Sequence, residues 1–359
     1  MEGSKQRLLS LDVLRGLTVA GMILVNNGYG ESFEMLRHSS WNGMTPCDLV
    51  FPFFLFIVGV SCYLALSKSQ FNPTWPVVRK IFKRTFLLFF IGLAIHWVEM
   101  ALDGRPLDFA HLRIWAVLQR IALCYFLVSL FALFVSHRYV IHVVLLLLAA
   151  YTLILLFGNG YSEDASVNVI AQADLRLFGY DHIYHKSPVD PEGLLGTIPS
   201  VAHTLLGFYC GQLITKGSSV GEKALRIFVL GTVLIVCGYL LTYGLPLNKR
   251  IWSPSYVLVT CGLASLLLGL LVYVIDIQGR LTWALPFRVF GTNALALYVG
   301  SELLAILFGH FDVSTFIYDA LHALILPSKW ASLAYALTFV LINYAIGYLL
   351  YRRHIFIKL

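Results

Sequence analysis

Long apolar runs separated by short polar stretches dominate this chain. Residues Leu49 to Ser67 carry no charge, and Gly16 to Val25 are apolar apart from Thr18. A bilayer core about 30 Å thick is crossed by roughly 20 apolar residues in helical form. The pattern therefore predicts about ten spans, over 9–28, 48–67, 83–101, 113–136, 139–158, 195–215, 225–246, 254–276, 288–309 and 331–351. The expected fold is all-α and polytopic, one membrane domain over residues 1–359.

With the N-terminus in the cytoplasm, 17 lysines and arginines fall on the inner side and 8 on the outer, with Arg120 buried. That bias favours cytoplasmic N- and C-termini by the positive-inside rule. The His38 loop and the loops at 102–112, 159–194, 246–253 and 310–330 then face outward. The segment 159–194 exceeds the length a connector needs and reads as a lid over the outer mouth. No internal repeat is visible, so an inverted-repeat transporter gains no support.

Composition agrees with the pattern. The chain is 58% hydrophobic and 13% charged, against about 25% charged in soluble domains. The net charge of +7 follows the membrane and forms no basic stripe with interleaved aromatics, which excludes a nucleic-acid partner. Cys47, Cys62, Cys124, Cys210, Cys237 and Cys261 are scattered, five of them in apolar spans, with no CxxC spacing. Asp12 and Arg15 interrupt the first apolar run, which reads as a retained span rather than a cleaved leader.

Ionisable groups within a membrane are costly and usually face a protein interior or a cavity. Arg113 and Arg120 stand two helical turns apart and are expected on one face of the fourth span, with Gln119 beside them. Glu99 and Glu302 lie toward the same end, and either is an expected ion-pair partner for Arg120. Asn293 and Asn343 are expected to bridge helices, and His96, His142 and His203 to be satisfied interior groups. Asp12 and Arg15 read as an i,i+3 ion pair with a snorkelling arginine. His182 and His185 form an HxxH beside Asp181, too few ligands for zinc, so no metal is expected.

The most polar stretch near the start runs from Asn26 to Pro52, clamped between two apolar spans. It offers what a group-transfer site needs: an amide donor in Asn26, an imidazole in His38, a carboxylate in Asp48, and glycines that let backbone approach a substrate. Asp48 also suits an N-cap of the second span.

VNNGYG, RHSSWNG and TPCDLVFPFFLFIVGVS together resemble the catalytic region of the heparan-α-glucosaminide N-acetyltransferase family, membrane enzymes that acetylate a terminal amino sugar. The resemblance continues in LRIWAVLQRIALCYF, DPEGLLGTIPSVAHTLLG, NKRIWSPSYVLVT and FGTNALALYV, from Leu9 to about residue 350. It implies a transmembrane acyltransferase domain with a catalytic loop over 26–48, cytosolic acetyl-CoA as donor, and an amino-sugar or glycan acceptor on the far side. For that reaction His38 suits proton removal or acetyl carriage, Asn26 the oxyanion, and Asp48 the orientation of His38. Arg79, Lys80, Lys83 and Arg84, with Arg120, are candidates for the coenzyme; ordinary positive-inside topology explains the first four equally, and Arg280 and Arg288 compete with them. Trp41, Arg113, Asp190, Glu192, Trp252 and Glu302 are candidates for the sugar. Only eight or so residues precede the first span, so a bacterial inner-membrane location is expected. A homodimer is compatible with the sequence. The competing reading is a secondary transporter of a sugar or acylated sugar, with Arg120 and Glu302 as its relay and discontinuous helices as its mark.

Overall fold

The computed structural model describes residues 8–324 and 327–357. Lys5, Arg7 and Lys358, which enter the charge count, lie outside them. The described residues form helices α1 (Leu9–Asn26), α2 (Val50–Leu66), α3 (Trp75–Leu102), α4 (Val117–Phe134), α5 (Val140–Phe157), α6 (Val169–Phe178), α7 (Thr197–Lys216), α8 (Val220–Leu241), α9 (Pro254–Leu271), α10 (Leu285–Thr292), α11 (Ala294–His310), α12 (Val313–Leu324) and α13 (Ser328–Arg352). Among the described residues eight helices are long and apolar enough to cross a membrane, nine if the bent pair α10 and α11 counts as one span.

The remaining expected span, 195–215, is α7, which is more polar than the others. Its Thr197, Ser200, His203, Thr204 and Gln212 are all buried, because α2, α4, α5, α8 and α9 enclose it. Protein, not lipid, surrounds this helix. The outer helices show the opposite pattern. Phe82, Phe86 and Phe90 on α3, Leu145, Leu146, Leu153 and Leu156 on α5, and Val229, Val233, Val236 and Leu240 on α8 are exposed, forming apolar faces suited to lipid tails.

Glycines set the closest approach in the centre. A Cβ on Gly59 of α2 would strike the carbonyl of Thr204 on α7, and one on Gly207 of α7 would strike the carbonyl of Phe56 on α2. Such small residues let membrane helices meet backbone to backbone. Gly207→Leu is therefore expected to lower stability by about 1–3 kcal/mol, read as a drop in melting temperature in detergent. Gly300→Leu, where a side chain meets open space, is the control and is expected to leave it unchanged.

Several expectations shift. α3 begins at Trp75, with Pro76 in its first turn, so the basic group 79–84 sits on the helix and not before it. α4 begins only at Val117, after an extended Ala116, so Arg113 is not on that helix. The ninth span breaks at Asn293 with a bend of 74°. This is the discontinuity a transporter would use, but Asn293 faces the chain's own tail: its amide donates to the Ile355 carbonyl (3.0 Å) and accepts from the Ile357 amide (2.8 Å). Asn343 donates within α13, to the Phe339 carbonyl (2.9 Å), and makes no helix bridge there. The Asp12–Arg15 pair forms at 3.1 Å, and Arg15 also reaches Ser61 of α2 at 3.0 Å instead of turning wholly to water.

Candidate functional site

Three polar connectors meet at the end of the bundle where α1 finishes and α2 begins. The first is the His38 loop. Gly43, at φ +107°, takes a conformation that a side chain would strain, and its amide donates to the Leu247 carbonyl (2.7 Å). Trp41 is 4% exposed, and its indole N–H donates to the Tyr161 carbonyl (3.0 Å). It packs in a small apolar cluster with Tyr151, Leu155, Ile170, Ala171, Val189 and Ile251, which joins the loop to the 159–194 segment. Trp41 thus serves as an anchor, with no free ring face for a sugar.

The loop presents His38 with its side chain 48% exposed, above an Asp48 that is fully buried. Nδ1 of His38 lies 2.8 Å from Oδ1 of Asp48. Oδ2 of Asp48 accepts from the Ser39 amide (3.1 Å), the Thr45 amide (3.0 Å) and the Thr45 hydroxyl (3.1 Å). Thr45, not Asp48, is the N-cap of the turn that leads into α2, and Asp48 is its capping-box partner. An ionised carboxylate only accepts, so it assigns the hydrogen to Nδ1 of His38 and makes Nε2 the acceptor nitrogen of the ring.

The third member, missed in the sequence, is Lys249. Its ammonium lies 2.9 Å from Nδ1 and 3.2 Å from Nε2 of His38, and 3.5 Å from Oδ1 of Asp48. Lys249 thus lies beside both ring nitrogens, a little nearer Nδ1. A turn delivers it: the Asn248 amide donates to Ser253 Oγ (3.0 Å), its side chain accepts from Ile251 N (3.2 Å), and its amide nitrogen donates to Asn42 Oδ1 (3.2 Å). Lys249 is 211 residues from His38 and read only as an outer-loop charge. Its place in the NKRIWSPSYVLVT run was the one available signal.

The second connector is the DPEG segment, gripped by two arginines. Arg113 donates to Asp190 (2.9 Å) and Glu192 (3.0 Å). Arg120, fully buried, donates to the carbonyls of Pro191 (2.7 Å) and Gly193 (2.6 Å), with its guanidinium 5.4 Å from the Trp252 ring centre. The expected ion pair of Arg120 with Glu99 or Glu302 is not what forms, because the backbone carbonyls occupy its donors. Trp252 is 1% exposed and packs edge-on against Phe51 and Tyr256, so it too offers no face to a sugar. Burial raises the carboxyl pKa of Asp190. For Glu192 burial acts the same way, but the charges of Arg113, Arg120 and Lys249 outweigh it and hold the carboxyl below its usual range. Asp174 on α6, where burial is the leading cause, is pushed up to about 6 despite a hydrogen bond from the Leu194 amide (2.9 Å).

Asn26 ends α1 and donates to Glu302 Oε1 of α11 (3.1 Å), not to His38. His96 lies 4.0 Å from Glu99. His182 donates through Nδ1 to the Leu112 carbonyl (2.7 Å), while His185 packs on Tyr180, so the HxxH pair does not converge. Among the described residues no three His, Cys, Asp or Glu side chains gather as metal ligands. Toward the opposite end of α3, Arg79, Lys80 and Lys83 are exposed, and Arg84 lies over the Tyr125 ring (4.5 Å) with its Nε buried and unpartnered.

The sequence of residues 7–245 matches the family described as heparan-alpha-glucosaminide N-acetyltransferase, catalytic. Heparan-alpha-glucosaminide N-acetyltransferase of Mus musculus is 30% identical over 84% of this chain and 54% of its own length. The Homo sapiens protein of the same name is 30% identical over 83% of this chain and 53% of its own. The chain thus spans about half the length of these relatives, and the family match over residues 7–245 includes the His38 loop, both arginines and the DPEG segment. It belongs to the heparan-alpha-glucosaminide N-acetyltransferase family.

Proposed function

We propose that this protein moves the acetyl group of acetyl-CoA to the amine of a glucosamine-type sugar at the His38 end of the bundle. The observation that carries the reading is the half-exposed imidazole hydrogen-bonded to a buried carboxylate, with an ammonium beside both ring nitrogens. Acetyl transfer needs a group that takes the amine's proton, a cation where the carbonyl oxygen gains charge, and a fixed orientation. His38 Nε2 takes the proton as the sugar nitrogen bonds to the acetyl carbon. Lys249 stabilises the oxyanion, and His38 returns the proton to the departing thiolate as the C–S bond breaks. Asp48 stays ionised throughout and balances the imidazolium.

If His38 itself carries the acetyl group, the same Nε2 attacks first and expels CoA as its thiolate; the amine then takes the group, breaking the bond to Nε2, and its proton passes to the freed Nε2. Incubation with labelled acetyl-CoA and no acceptor separates the two orders: labelled His38 marks the second.

The opposite end suits the coenzyme's phosphates. Arg79, Lys80 and Lys83 are free to reach them, and the unpartnered Nε of Arg84 lacks an acceptor. Arg120 is committed to the DPEG carbonyls and has no place in that group. At the acceptor side, Glu192, Glu302 and Asn26 are polar groups positioned to hold an ammonium and hydroxyls. On this reading the His38 end faces away from the cytoplasm and both termini lie within it.

The test is direct. Purified protein is given isotopically labelled acetyl-CoA and a panel of amino sugars, and the acceptors are weighed by mass spectrometry. Mass gain on a glucosamine amine is expected. No gain on any acceptor, together with uptake of labelled sugar into proteoliposomes lacking acetyl-CoA, would replace this reading by transport. Lys249→Met is expected to lower kcat about 10²-fold with KM for the sugar little changed, and Lys249→Arg to recover part of the loss. An unchanged kcat in both would reduce Lys249 to a counter-ion of Asp48.

A further inference from the structure

None of the steps above uses helix α12. It joins α11, the second half of the bent span, to the span α13. Asp312, at φ +55°, turns the chain out of α11, and Ser328 opens α13. Both ends of α12 are thus tied to the ends of spans, where a bilayer gives way to water.

At 3.6 residues per turn its side chains sort into three strips. Ser314, Ile317, Tyr318 and Leu321 face the bundle: Ser314 is buried, and the other three pack against the core. Thr315, Asp319 and His322 form a polar strip. Phe316, Ala320, Ala323 and Leu324 form the third, which is exposed throughout, with Phe316 76% and Leu324 83% open. A helix with one polar and one apolar flank, set at the end of a span, has the form of an interfacial helix. Two features identify what covers the apolar strip. Its neighbours carry exposed apolar side chains of their own, Leu307 on α11 and Leu337, Leu341 and Leu349 on α13, so lipid reaches both. The strip also carries no charge, which suits acyl chains and not headgroup phosphates.

α12 also holds the start of the His38 loop. The hydroxyls of Thr315 and Tyr29 share a hydrogen bond (2.8 Å), and the Tyr318 ring lies 5.1 Å from that of Tyr29. Gly30, at φ +71°, is so close to Tyr318 that a Cβ would strike its hydroxyl. The first turns of α13 take the next residues. Ser328 donates to Glu31 (2.8 Å), the Lys329 ammonium lies 3.3 Å from the same carboxylate, and Ser32 shares a hydrogen bond with Ser332 (2.9 Å).

We infer that α12 is an interfacial helix seated in the leaflet at the His38 end, its apolar strip among acyl chains, and that this seat steadies residues 29–33. The bilayer is then a partner of the loop that carries His38, through a contact that needs no particular headgroup charge.

The experiment places the full chain in phosphatidylcholine vesicles with an environment-sensitive fluorophore on an introduced cysteine, Phe316→Cys or Asp319→Cys. Both are made in a Cys237→Ala background, since Cys237 is the exposed cysteine among the described residues. The Phe316→Cys label is expected to shift to the blue and to lose most of its emission to brominated acyl chains. The Asp319→Cys label is expected to lose most of its emission to aqueous iodide. Equal quenching at the two positions, or a pattern that appears only with anionic lipid, would overturn the seat. Amide hydrogen exchange reads the coupling. In Phe316→Asp, exchange at residues 29–33 is expected to quicken about tenfold, the order set by taking one large apolar side chain out of lipid, while Phe316→Leu exchanges like wild type. Unchanged exchange in Phe316→Asp would overturn the coupling. None of these readouts needs acetyl transfer, so the lipid seat and the proposed reaction stand or fall separately.

Discussion

His38→Ala is expected to lower kcat for acetyl transfer by about 10³-fold or more, within or beyond the usual yield of acid–base catalysis, while leaving the protein folded. The side chain is 48% exposed, so its removal creates no cavity. Asp48 keeps the Ser39 and Thr45 donors and the nearby Lys249. Only about 1 kcal/mol of stability is at stake, the worth of one hydrogen bond. Asp48→Asn should behave differently. It keeps the shape of the side chain but removes the charge that fixes the tautomer of His38, with an expected loss of about 10²–10⁴ in kcat. It also disturbs the amide and hydroxyl donors on Oδ2, so its melting temperature should fall as well. Steady-state kinetics and thermal melts on both variants make the comparison. Wild-type kcat in His38→Ala would remove the imidazole from the chemistry altogether.

Arg120→Met is expected to cost about 3–5 kcal/mol of stability, as the two charge-assisted hydrogen bonds are lost and the carbonyls they served stay buried. Removing the guanidinium frees the Pro191 and Gly193 carbonyls in a place water does not reach. The DPEG segment then has only Arg113 to hold it, so activity and melting temperature should fall together. Arg120→Lys does not rescue, since a single ammonium lacks the fork that spans both carbonyls. A variant that melts like wild type yet shows a raised KM for acetyl-CoA alone would return Arg120 to the donor site.

These two residues also show how far the chain could be read in advance. The spans were legible because the bilayer imposes length and apolarity on nearly every helix. The His38–Asp48 pairing was legible too, because the two stand only ten positions apart in one loop, with Asp48 beside the start of α2. The role of Arg120 was not, since its partners are backbone carbonyls 71 and 73 residues away, and a carbonyl carries no signature in the sequence. Lys249 escaped for the same reason of distance. Trp41 and Trp252 were read as sugar platforms by residue type, yet packing decided their use. The helices α6 and α12 were missed because they are short and amphipathic, stabilised by the face they bury and not by any run of apolar residues.

The cluster around Trp41 carries one more consequence. It is a miniature core outside the lipid, built from the His38 loop, α5, α6, Val189 and Ile251, and it holds far fewer side chains than the bundle beneath. Regions of low contact density open at lower free energy than the rest of a protein. Heating would then dismantle the roof before the pillars, and the proposed acetyl transfer would stop while the transmembrane scaffold still stood intact.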